Sequence, residues 1–113
     1  MATYGRRSPR VTLNIPLHIE AHDCSCSGHT AVVNRHGALI LVPARFPEGC
    51  ELEVWNLHNG THGRARVVWY GGEDLPGLHK EGIELIDPHP AFWGSEYDEL
   101  AGTSARRPPQ AAN

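Results

Sequence analysis

The sequence predicts an all-β protein: a six-stranded antiparallel barrel with a short C-terminal helical turn and a disordered tail. Apolar and polar residues alternate in short runs without helical spacing, clusters of Gly, Pro and Asn punctuate those runs, and one run is apolar at every position. Six runs of this kind fit an antiparallel sandwich or barrel. Closure into a barrel removes exposed strand edges and is the favoured form. At 113 residues the chain fits one domain, burying roughly two-thirds of its unfolded surface without a metal or disulfide staple.

Residues 11–20 alternate, with Val11, Leu13, Ile15, Leu17 and Ile19 on one face, and read as a half-buried strand. Pro16 lacks a ladder donor, which places that stretch at an edge or bulge. Residues 21–28 read as a polar loop before a short strand at 30–33, and Asn34-Arg35-His36-Gly37 reads as a turn. The apolar run 38–42 reads as a central strand covered on both faces. After a turn at 43–49, residues 51–55 alternate, with Leu52 and Val54 inward. Asn59-Gly60 predicts a type I′ hairpin, which leads into a strand at 62–70 with Ala65, Val67 and Trp69 on one side. The last strand, 78–86, carries Gly82 where a bulge or close backbone approach is expected. Asp87-Pro88 stops it, and residues 90–93 are expected to form a helical turn laying Phe92 and Trp93 over a barrel end. The resulting layout is a flexible basic arm at 1–10, a barrel at 11–93 and a disordered tail at 94–113.

A net charge of −3 opposes non-specific nucleic-acid or membrane binding, so any anion site must be local. Arginines cluster at Arg6, Arg7 and Arg10 and again at Arg106 and Arg107. The N-terminus has no signal-peptide core, and no apolar run approaches membrane-spanning length. With an odd count of three cysteines, the expectation is a cytoplasmic protein that does not insert into membranes. No Ser/His/Asp set, paired carboxylates, phosphate loop or HExxH is present, so no catalytic residue is assigned and the chain is expected not to be an enzyme.

The arginine cluster before the first strand, a turn ending in Gly37, and Gly82-Ile83-Glu84 in the last strand together resemble the PilZ family over roughly residues 5–93. That resemblance implies a six-stranded antiparallel barrel which, in ligand-binding members, recognises the bacterial second messenger cyclic di-GMP. The family's pair of arginines with three residues between is matched by Arg6 and Arg10 in Arg6-Arg7-Ser8-Pro9-Arg10. Guanidinium groups suit this ligand because they fork onto phosphate oxygens or the O6/N7 edge of guanine. The second motif, Asp or Asn, any residue, Ser, two of any, then Gly, aligns with Val32-Val33-Asn34-Arg35-His36-Gly37. Gly37 matches, Asn34 stands at the serine position, and Val32 replaces the acid or amide. Asn34 retains a side-chain donor and acceptor, whereas Val32 offers neither.

The resemblance therefore implies a ligand site of Arg6, Arg7, Arg10, Asn34, His36 and Gly37, with cyclic di-GMP as ligand, no cofactor, and a protein partner that receives the signal. The alternative is a barrel that has lost the nucleotide and works as a protein-protein adaptor, for which Val32 is the main support. Structural readings compete at each position. The arginines also fit a solvated arm, and Asn34 and Gly37 also fit turn chemistry through left-handed backbone angles. His22, Cys24, Cys26 and His29 supply metal-ligand types, but Cys24 and Cys26 stand too close for a zinc knuckle, and no metal is assigned. The eight histidines show no catalytic spacing. Trp69 and Trp93 are expected in the core, and Trp55, on the polar face of its strand, is the aromatic suited to a partner.

Overall fold

The computed structural model of the chain describes residues 9–89 and 91–103. Its strands are β1 (Val11–Thr12), β2 (Pro16–Ala21), β3 (Cys24–Asn34), β4 (Gly37–Val42), β5 (Glu51–Asn56), β6 (His62–Leu75) and β7 (Leu78–Leu85). All pairings are antiparallel. The order β3-β2-β5-β6-β7-β4 returns from β4 to β3, so six strands close the expected barrel, while β1 lies outside the ring on the far end of β3.

The strand expected at 11–20 is interrupted rather than continuous. Leu13, Asn14 and Ile15 leave the regular ladder, and Thr30 reaches from β3 into the gap. Its hydroxyl donates to Leu13 O at 2.5 Å and accepts from Ile15 N at 2.9 Å. Pro16 opens β2 immediately after this break, where its missing N–H removes no ladder bond.

Residues 21–28 are not a loop. Ala21 pairs with Cys24 across a two-residue turn, and the pairing runs on to Pro16 and His29. The inward positions here are small, because a Cβ on Gly28 would collide with Val42 and the Leu41 carbonyl, so the alternation carries no large apolar signal. β3 then bulges between Thr30 and Val32 as its partner changes from β2 to β1 and β4. β4 pairs with β3 on one side and β7 on the other and closes the ring, but, contrary to the expected cover on both faces, it is buried on one face only. Ile40 and Val42 are inside, whereas Leu39 and Leu41 are half-buried outside.

The Asn59-Gly60 hairpin is present with a longer loop than a type I′ turn. Trp55 pairs with His62, Gly60 N donates to Asn56 O (2.7 Å), and Gly60 alone takes positive φ (80°). β6 and β7 extend past the expected boundaries to Leu75 and Leu78. The irregularity expected at Gly82 lies in its partner: the register slips between Val67 and Trp69 opposite Ile83 and Gly82. That extra residue ends the alternation expected for β6, so Val67 is buried and Trp69 is 48% exposed on the outer face rather than in the core.

The core is built from inward residues of every ring strand, including Leu17, Ile19, Val33, Ile40, Leu52, Val54 and Val67. One barrel end is capped by Phe92 and Trp93, which meet edge to face at 4.7 Å. Buried Asn56 donates through Nδ2 to Phe92 O (2.8 Å) and accepts the His58 N–H (2.8 Å), tying the β5–β6 loop to this cap. The helix begins later than expected, with α1 (Ser95–Tyr97) continuing as a π-helical stretch at Asp98–Thr103. The barrel domain therefore extends beyond residue 93, because Tyr97 and Ala101 are buried in the core. The rest of the expected tail, and residues 1–8 of the expected arm, lie outside the described residues. Among the described residues no helix is long and apolar enough to cross a membrane.

Candidate functional site

Two parallel rows of side chains cross four strands on the outer face of the barrel. In one row Val32 of β3 pairs with Leu39 of β4, Leu39 with Gly82 of β7, and Gly82 with Trp69 of β6. In the other, Asn34 pairs with Gly37, Gly37 with Glu84, and Glu84 with Arg66. Equivalent positions are two residues apart on β3, β4 and β7 and three apart on the bulged β6, so an apolar row lies beside a polar row about 7 Å away.

A cleft of about 730 Å³ opens over these rows. Its lining includes Arg10, Asn34, His36 and Gly37 from the expected ligand set, together with Val32, Leu39, Val68, Trp69, Gly82 and Glu84. Closure of β3 and β7 around β4 brings these residues together across some 75 positions of sequence. Arg6 and Arg7 lie outside the described residues.

The four described residues of the expected set have definite local settings. Arg10 is exposed at the head of β1. Asn34 Oδ1 accepts the His36 N–H at 2.7 Å, so the side-chain acceptor is engaged by its own turn, while the amide also carries the Nδ2 donor. His36 is exposed, and its carbonyl accepts from Leu85 N (2.7 Å), which fixes the turn against β7. Neither Asn34 nor Gly37 adopts positive φ, so left-handed geometry does not explain them. Gly37 is there for space: a Cβ would collide with the Ile83 carbonyl oxygen.

Trp69, Val68 and Glu84 were not expected in the cleft. Trp69 comes there through the β6 bulge, and its indole lies against Gly82, whose Cβ would stand 3.3 Å from that of Trp69. A glycine facing a large aromatic across a strand pair is the signal that points to this arrangement. The rim is braced from the C-terminal segment. Trp93 Nε1 donates to Asn34 O at 2.8 Å, and the Tyr97 hydroxyl donates to Pro9 O at 3.1 Å beside Arg10.

The other suspected groups fall elsewhere. Trp55 lies on the outer face of β5 between two imidazoles, tilted to His18 (5.3 Å) and stacked on His62 (4.5 Å), while His62 reaches Glu53 at 2.5 Å. Strand geometry divides the His/Cys set, since Cys24 and Cys26 share one side of β3 and His29 takes the other. Among the described residues no group of three His, Cys, Asp or Glu is placed to hold a metal. Burial, then the neighbouring Cys24 and Glu81 charges, pushes the Cys26 thiol up; burial, then Glu81, does the same for Cys50. Neither is an activated thiolate.

Against known proteins, the chain matches no family model and no curated sequence. Its functional reading therefore rests on the cleft itself.

Proposed function

We propose that the chain is a PilZ-like regulatory module that binds cyclic di-GMP in the outer cleft and relays occupancy to a protein partner, without a chemical step of its own. The observation that carries this reading is the convergence of Arg10, Asn34, His36 and Gly37, with exposed Trp69, on one cleft. Arg10 supplies a planar cation for phosphate or for the O6/N7 edge of guanine. Trp69 supplies a π-face for a base, a contact worth about 1–3 kcal/mol per base. The braces from Trp93 and Tyr97 offer a route outward, because any displacement of the Asn34 turn or of Pro9 reaches the C-terminal segment.

Isothermal titration of cyclic di-GMP into the wild-type protein and Arg10→Ala at low salt tests the proposal. The expected result is micromolar or tighter binding that weakens at least about tenfold in the variant, the loss of one charge-assisted contact. No heat up to millimolar ligand refutes it.

One observation favours the adaptor reading. Val32, Leu39, Val68 and Trp69 give the cleft an apolar side suited to a protein side chain. Val32→Asp separates the two readings. It strengthens nucleotide binding if the cleft takes cyclic di-GMP, and it leaves the nucleotide unbound and disrupts the apolar contact if the cleft takes a protein.

A further inference from the structure

We propose that Glu84 is the residue that selects guanine, by accepting hydrogen bonds from N1–H and the 2-amino group on the base's Watson–Crick edge. This rests on the reading of the cleft as a cyclic di-GMP site.

Guanine presents donors at N1 and N2 beside its O6 acceptor, so a selective site needs an acceptor and a donor side by side. Val32 offers no polar atom, and Asn34 Oδ1 already accepts the His36 N–H. Among the described lining residues Glu84 is the carboxylate. It is exposed and belongs to the same cross-strand row as Asn34 and Gly37. Its neighbour on β6, Arg66, reaches toward Glu51 at 3.8 Å.

Geometry completes the recognition pair. Asn34 and Glu84 flank Gly37 from adjacent strands, two strand spacings or about 9.5 Å apart along the row. Gly37 carries no side chain, and all three residues line the cleft, so no side chain of the row stands between Asn34 and Glu84. A purine edge laid there meets Asn34 Nδ2 at O6 and the Glu84 carboxylate at N1–H and N2–H. Trp69, in the neighbouring row, supplies the face on which the ring stacks. Adenine reverses the pattern. It places an N1 lone pair against the carboxylate and an amino group against the amide donor, so the same two residues exclude it. A carboxylate also repels phosphate, which keeps the phosphates on the Arg10 side of the cleft and fixes the orientation of the ligand.

The test titrates wild type, Glu84→Ala, Glu84→Gln and Arg10→Ala with cyclic di-GMP, with its inosine analogue lacking the 2-amino group, and with cyclic di-AMP, the melting temperature of each variant serving as a folding control. Wild type is expected to prefer cyclic di-GMP over both others. Glu84→Ala should lose about ten- to hundredfold of its affinity for cyclic di-GMP and bind the guanine and inosine ligands nearly equally. Glu84→Gln, with one acceptor oxygen left, should fall between. Unchanged cyclic di-GMP affinity in Glu84→Ala, with Arg10→Ala weakened, overturns the role of Glu84 and leaves the ligand reading standing. Equal wild-type affinity for all three ligands also overturns it. Absence of binding by wild type to any of the three overturns the ligand reading and this inference together.

Discussion

Glu81 is the most constrained charge in the barrel. It lies on β7, fully buried, with Oε2 accepting the Phe46 N–H at 3.1 Å and Oε1 finding no hydrogen-bond partner among the described residues. Burial pushes its carboxyl up from the ordinary glutamate range, and the Phe46 N–H, His79 and Arg45 only partly offset that. The groups around it are His79, which holds the Tyr70 hydroxyl at 3.0 Å, Arg45, stacked over the Tyr70 ring at 4.1 Å, and the Cys26 and Cys50 thiols, which respond to its charge. A carboxyl raised in the folded state favours folding while protonated. Its contribution is full below the unfolded value and is lost as pH rises through the folded value. Glu81→Gln should therefore raise the melting temperature at pH 8, leave it little changed in mild acid, and flatten the decline between the two, as measured by thermal unfolding across pH. At this scale the sequence was informative about residue type and less so about environment. Arg10, Asn34, His36 and Gly37 could be named because the order and spacing of the motif are linear. That the Asn34 carbonyl accepts from Trp93, and that Gly37 answers a steric demand from Ile83, depends on contacts across the barrel.

Among the elements, β3 does the most to shape the site. It pairs with β2 along its first half and with β1 and β4 along its second, and the handover is mended by one side chain. The Thr30 hydroxyl satisfies two backbone groups that the break between β1 and β2 would leave buried and unpaired. Thr30→Val keeps the shape and removes both bonds. It should cost about 2–4 kcal/mol, measurable as a lower urea midpoint. Strands with large inward residues were legible: Leu52 and Val54 announce β5, and Leu17 and Ile19 announce β2. The start of β3 was not, because Cys24 is exposed and Cys26 and Gly28 are small residues alternating with polar ones. The β6 bulge was equally hidden, since a slip of one residue leaves no mark on composition yet moves Trp69 from the core face to the cleft.

For the molecule as a whole, barrel closure makes the candidate site. Positions from Arg10 to Glu84 meet only because β4 joins β3 to β7, and the C-terminal segment then locks the rim through Trp93 and Tyr97. Regular short strands and turn signals made the closed barrel legible. The folding of Ser95–Thr103 was not, because the run is polar and small apart from Tyr97, Leu100 and Ala101, and its order comes from docking rather than from helix propensity. The account's central claim is that the face bearing Arg10, Gly37 and Trp69 is where cyclic di-GMP binds. An amide and indole NMR titration with cyclic di-GMP tests it most directly, because it reports location as well as affinity. The account predicts shifts concentrated at Arg10, Asn34, Gly37, Gly82 and the Trp69 indole, with smaller ones carried to Trp93. A spectrum unchanged at millimolar ligand, or shifts centred on Trp55 between His18 and His62, would contradict it.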